Sequence, residues 1–157
     1  MVDRLILDGD GGTTPIAAPL GGASHDGFNV TGTAATETVQ IQANQDTAGQ
    51  VTSFASDGDT VQFAGNSSDY DIQVSGFGLE ITDTVTQTTS TISLNNNLSD
   101  ATSGIQFADG TLAAGIDTSG QNPAVSVGGQ TFADGDAVDP ANVNLQTGQG
   151  NEGIGRD

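Results

Sequence analysis

Lysine, cysteine and tryptophan are all missing from this 157-residue chain, and its only basic side chains are Arg4 and Arg156. Without cysteine there can be no disulfide and no thiolate metal site. Without lysine, and with 17 Asp and 3 Glu giving a formal charge of −18, nothing neutralises phosphates. Nucleic acid and anionic membrane surfaces are therefore excluded as partners. One tyrosine and no tryptophan leave little on which a sugar ring could stack. Long apolar runs are absent too: Met1-Val2-Asp3-Arg4-Leu5-Ile6-Leu7-Asp8 holds one basic residue and a three-residue apolar stretch, which is neither a signal peptide nor a membrane span, so no membrane insertion is expected. Export would then use a route without a cleaved N-terminal signal, or the signal has been removed.

What is abundant points to strands. Thr, Val and Ile dominate the middle of the chain, while the good helix formers Glu, Lys, Arg and Met are scarce. An apolar fraction of 34% with 23 Gly allows a thin, two-layer core. The expected fold is all-β: an antiparallel β-sandwich or β-roll with an extended N-terminal arm and a C-terminal tail. Residues 1–27 read as the arm, with Asp8-Gly9-Asp10-Gly11-Gly12 and a Pro15/Pro19/Gly21-Gly22 stretch that cannot propagate a helix. Residues 28–132 read as the sandwich domain, and residues 133–157 as a polar tail with Val143-Asn144-Leu145 its one strand-like piece.

Within the domain, the candidate strands are Phe28–Thr33, Glu37–Gln42, Gln50–Phe54, Thr60–Ala64, Tyr70–Ser75, Leu79–Thr84, Thr88–Leu94, Gly104–Phe107, Ala124–Val127 and Gln130–Phe132. Asp71-Ile72-Gln73-Val74-Ser75, Val39-Gln40-Ile41 and Val61-Gln62-Phe63 alternate with period two, as strands with one wet face do. Ser75-Gly76-Phe77-Gly78 reads as a hairpin turn. An echo joins Gln106-Phe107-Ala108-Asp109-Gly110 to Thr131-Phe132-Ala133-Asp134-Gly135, with Phe54-Ala55-Ser56-Asp57-Gly58 a looser relative. Each places an aromatic at a strand end before an Asp-Gly turn, and Phe107 and Phe132 are expected to be buried in the core. The echo does not amount to a periodic solenoid.

The acidity is carried by Asp rather than Glu, and by Asp in Gly-containing turns, which is calcium-loop chemistry. Asp pairs spaced by one residue can aim two carboxylates at one hard cation, with backbone carbonyls completing the shell. The candidate Ca2+ ligands are Asp8/Asp10, Asp57/Asp59 and Asp134/Asp136 with Asp139 nearby; Asp109 and Asp100 could add ligands from elsewhere, and Asp69/Asp71 is a weaker pair. The competing reading of each is a solvated Asp-Gly turn. No catalytic residue is expected. His25, the single histidine, sits between Ser24 and Asp26, and sequence neighbours cannot form a triad.

From about Thr31 to Leu112 the chain resembles modules of bacterial repeats-in-toxin (RTX) exoproteins, adhesins and surface-layer proteins. The residues that carry the likeness are Gly32 to Val39, Asp59 to Ile72, Leu79-Glu80-Ile81-Thr82-Asp83 and Ile105 to Leu112. The resemblance implies calcium dependence, an extracellular or cell-surface location and type I export. One departure is clear: the tandem calcium nonapeptide of that group is missing, and Asp8-Gly9-Asp10-Gly11-Gly12 is at best a fragment of it. The expected function is a calcium-binding structural subunit of a filament, matrix fibre or surface layer. It would polymerise with itself head to tail, with the apolar run Val2–Leu7 donated as a strand to the next subunit and Val143–Leu145 a second candidate donor. The alternative is an adhesin-like module that binds a glycan or a host surface.

Overall fold

Among the described residues, two seven-stranded sheets face each other across one apolar core. The computed structural model describes residues 3–6, 12–16, 28–33, 35–41, 49–52, 58–94 and 102–147. Sheet I contains β1 (Asp3–Ile6), β3 (Phe28–Thr31), β5 (Gly49–Thr52), β9 (Thr89–Ser93), β8 (Gly78–Asp83), β7 (Tyr70–Ser75) and β14 (Ala137–Val138), in that spatial order. Sheet II runs β2 (Gly12–Ile16), β4 (Glu37–Ile41), β6 (Thr60–Phe63), β10 (Thr102–Phe107), β11 (Gly110–Asp117), β12 (Ala124–Val127) and β13 (Gln130–Phe132).

The order shows how the chain winds. Through β6, each strand is followed by one in the opposite sheet, so every return to a sheet comes in the same direction. The ladders β1–β3–β5–β9 and β2–β4–β6–β10 are accordingly parallel. From β9 and β10 outward the ladders are antiparallel: β9–β8–β7–β14 in one sheet and β10–β11–β12–β13 in the other. The fold is thus a roll in its N-terminal half and a sandwich in its C-terminal half. Alternation along a strand reports a wet face and a dry face, and is blind to the direction of the neighbouring strand.

Equivalent residues of successive coils stack in register. Val39, Val61 and Ile105 form one buried column of sheet II, and Val30, Val51 and Ile92 align across sheet I. Phe63 and Phe107 lie 5.6 Å apart, and Tyr70 joins them at 5.1 and 5.3 Å, so the three rings fill one end of the core. On the outer face of sheet II the column is polar. Gln40 donates its side-chain amide to the Gln62 side-chain oxygen at 2.7 Å, and Gln62 to that of Gln106 at 2.6 Å. The separations are 22 residues and then 44, twice as long, because the β7–β8 hairpin is inserted before the chain resumes the roll. Replacing Gln62 by Ala removes the central member and both bonds. A loss of about 1–2 kcal/mol is expected in urea unfolding, at roughly 1 kcal/mol per bond.

The flanks depart from the expected division at residues 27 and 132. Asp3–Ile6 pairs in parallel with β3 of its own sheet, so this arm is not a free strand for a neighbour. Gly12–Ile16 is also a strand, and Pro15 is accommodated because β2 is an edge. In the expected tail, β14 pairs with β7, Gln146 bridges Thr111, and half-buried Val143 and Leu145 pack on the core. Polar composition conceals these short apolar anchors.

Candidate functional site

The least ordinary chemistry in the fold is a buried polar column where the chain enters sheet II. Glu37, Asp59 and Ser103 begin successive coils on the inward side, below the Val39–Val61–Ile105 column, and are 3%, 0% and 1% exposed. Burying carboxylates is costly unless they are hydrogen-bonded or paired. The Glu37 carboxylate accepts from the Thr33 backbone N–H at 2.8 Å and the Thr33 hydroxyl at 2.5 Å, closing its own corner. One Asp59 carboxylate oxygen accepts from the Glu37 backbone N–H at 2.9 Å, and the Asp59 carbonyl accepts from the Gly104 N–H at 2.7 Å. Asp59 thereby ties three coils together. The Ser103 Oγ is the one buried side-chain polar atom without a hydrogen-bond partner among the described residues.

Of the candidate calcium ligands, Asp59 lies in this column. Of the others with described side chains, Asp71 projects outward from β7 and the rest hold turns. Asp109, in the β10–β11 turn, uses both carboxylate oxygens on Ser67, accepting from its N–H at 2.7 Å and its hydroxyl at 2.8 Å. Asp134 accepts from the Gly76 N–H at 2.8 Å, linking the turn after β13 to the β7–β8 hairpin. Asp136 turns back on the Ala133 N–H at 2.8 Å. Asp139 accepts from the Ala141 N–H at 2.9 Å and the Asn142 side-chain amide at 2.6 Å. Asp69 likewise accepts from the Asn66 N–H at 2.9 Å. The two members of the Asp134/Asp136 pair are therefore drawn toward different donors. Short Asp side chains have local backbone N–H groups within reach and take them.

Asp8, Asp10, Asp57 and Asp100 lie outside the described residues, as do Ser24, His25 and Asp26. Among the described residues, no three His, Asp or Glu side chains gather as a metal-holding group. Asp117, at the end of β11, is held below the usual carboxylate range by hydrogen bonds from the Ser119 hydroxyl and N–H. Its small contribution to stability is present above its unfolded-state pKa and fades as pH falls through the lowered folded value.

A second feature lies at the sandwich end. Phe77, at the tip of the β7–β8 hairpin, is 54% exposed. It flanks an open groove shared with Asn122, Pro123, Phe132, Asp134 and Asp136. The groove offers an aromatic face beside carboxylate and amide groups. The Asp134–Gly76 hydrogen bond ties the hairpin tip to its opposite wall.

Glu37, Ser103 and the Gln40–Gln62–Gln106 column do not stand out in the sequence. Their one signal is the recurrence of Val-Gln-Ile, Val-Gln-Phe and Ile-Gln-Phe at 39–41, 61–63 and 105–107. Set against protein-family models, curated proteins and solved structures, the chain matches none of them.

Proposed function

We propose that this chain is a structural module of the cell surface or extracellular space, an acidic roll stabilised by calcium that assembles with copies of itself head to tail. The observation that carries this reading is the parallel stack. Coils add in register through the same backbone ladder and the same Gln column. Among the described residues, the outermost coil, β1 with β2, is bonded on one side only. Such an edge is a template for another strand. The opposite end of the sandwich closes on β14 and β13, strands of two and three residues. An assembly joining unlike ends is heterologous and can grow without closing. Arm donation is not the route, since Asp3–Ile6 is already paired at home.

Calcium enters this reading through charge. At −18, divalent ions relieve self-repulsion and stabilise whatever state binds them. The described carboxylates form no cage, so the ions are assigned to no described ligand set. The resemblance to RTX-type modules supports the location and the export route.

Negative-stain microscopy with calcium and with chelator tests the reading. Filaments or sheets are expected with calcium and dispersed particles with chelator; dispersed particles under both conditions at high protein concentration would contradict self-assembly. The exposed Phe77 and its groove favour one second reading, an adhesin-like module that takes a glycan or a host surface there.

A further inference from the structure

Among the described residues, the outer face of sheet II is nearly free of charge, in a molecule of formal charge −18. From β4 to β13 its outward residues are Thr38 and Gln40, Thr60 and Gln62, Gly104 and Gln106, Thr111 and Ala113, Ala124 and Ser126, and Thr131. In β2, exposed Thr13 continues the row of Thr38 and Thr60. The first carboxylate on this face, Asp117, stands at the far end of β11. The other sheet differs in that Asp71 and Glu80 project from its outer face on the adjacent strands β7 and β8. The poor strand propensity of Asp and Glu does not account for the contrast, since both sheets are made of strands.

Two copies of a −18 molecule repel one another wherever their carboxylates face. Among the described residues, the outer face of sheet II is a broad surface with a single carboxylate at its end. It is also regular: rows of Thr and Gln repeat at the strand spacing of about 4.8 Å, so the face of one copy matches the period of another. Its side chains are short or lie along the Gln column, which lets two such faces approach closely, as polar sheets do when they stack. We propose that the outer face of sheet II is a self-association surface on which a second copy of this chain packs face to face. This rests on the self-assembling reading above and adds a lateral contact to growth along the coil axis.

The size of the face sets the strength. Seven strands at about 4.8 Å, some four residues long at about 3.3 Å each, give a footprint on the order of 400 Å² per copy. That is about half the share each partner contributes to a standard interface, so pairing is weak for two molecules and cumulative along a stack. Its salt dependence is diagnostic. Salt screens the repulsion between the acidic remainder of the two copies and leaves the uncharged contact intact, so association strengthens as ionic strength rises. An interface built on ion pairs does the reverse.

Sedimentation velocity in millimolar calcium, across protein concentrations of about 20 μM to 1 mM, a range suited to weak pairing, tests this on the intact chain at low and high sodium chloride. Gln62→Glu and Ser126→Glu place a carboxylate on the face, the second away from the Gln column; Ser75→Glu places one on the outer face of sheet I. Wild type and Ser75→Glu should associate more at high salt. Both face variants should remain dispersed at concentrations at least tenfold higher, with circular dichroism spectra like that of wild type. If all four proteins associate alike, the face is not the contact, although head-to-tail assembly through the open edge still stands. If wild type is a monomer throughout, both readings fall. If wild type is a monomer that pellets with an insoluble polysaccharide and Gln62→Glu does not, the face holds a glycan instead, and the proposal is overturned.

Discussion

Replacing Phe107 by Ala is expected to destabilise the protein by about 3–5 kcal/mol, the range for removing a large aromatic from a packed core. The ring is fully buried and sits 5.6 Å from Phe63 and 5.3 Å from Tyr70, so its loss opens a cavity that neither neighbour can fill without leaving its own contacts. Tyr70 cannot easily collapse inward, because its hydroxyl accepts from the Gly65 N–H at 3.0 Å. Urea unfolding followed by far-ultraviolet circular dichroism gives the number. Phe132 occupies the matching place in the sequence echo but is only half-buried at the edge of the core. Its replacement by Ala should cost about 1–2 kcal/mol, scaled to the smaller area removed from water. Equal losses at the two positions would mean that the three-ring cluster is not the anchor described here.

The second large effect concerns a residue with no side chain. Gly78 begins β8 opposite Ser93, and a Cβ placed on it would lie 2.5 Å from the Ile92 carbonyl oxygen. That oxygen is backbone of the neighbouring strand, so relief requires the β8–β9 ladder to open rather than a rotamer to change. Gly78→Ala should therefore cost about 1–3 kcal/mol, at the upper end of overpacking because a ladder must part. Gly76, two residues earlier, has a positive φ of 58°, and a methyl group added there would meet nothing within 4 Å, so the cost of Gly76→Ala is backbone strain alone. Thermal melts of the two variants separate the causes: Gly78→Ala should fall further, and a larger fall at Gly76 would contradict the close approach to Ile92.

Much of this fold is legible in the sequence. Tyr70–Ser75 and Ala124–Val127 are strands with the bounds that their alternation suggests, and Ser75-Gly76-Phe77-Gly78 makes the expected hairpin. The strand Gly110–Asp117 is hidden because Ala113-Ala114-Gly115 has low strand propensity, and pairing on both sides outweighs it. Strand direction is hidden for a different reason: it depends on which sheet the next strand joins, and local residues do not encode that. The Gln column is within reach, since Val-Gln-Ile and Val-Gln-Phe recur, but the doubled interval before Ile-Gln-Phe disguises the period.

The site is less legible than the fold. Asp-x-Asp spacing suggests convergence, whereas Asp134 and Asp136 accept from Gly76 and Ala133 on different sides of the turn. Spacing alone does not say whether a carboxylate faces a cation or a nearby N–H. Glu37 escapes notice because a single Glu in a Thr-rich run carries no motif; its role emerges only when the coils are stacked and Asp59 reaches its backbone. The echo Phe107/Phe132 marks a common place at a strand end before an Asp-Gly turn but not common burial: Phe107 lies deep in the core, whereas Phe132, expected to be buried, is half-buried at its rim because β13 is the outermost strand of its sheet.

Thermal unfolding of the intact chain separates an acidic roll held together with the help of calcium from one indifferent to it. Melts in millimolar calcium, in chelator, and in chelator followed by excess calcium are compared with a sodium chloride control of matched ionic strength. The expected result is a melting temperature several degrees lower in chelator and fully restored by calcium, an effect of mass action that screening alone does not reproduce. Identical melts in calcium and chelator would contradict it.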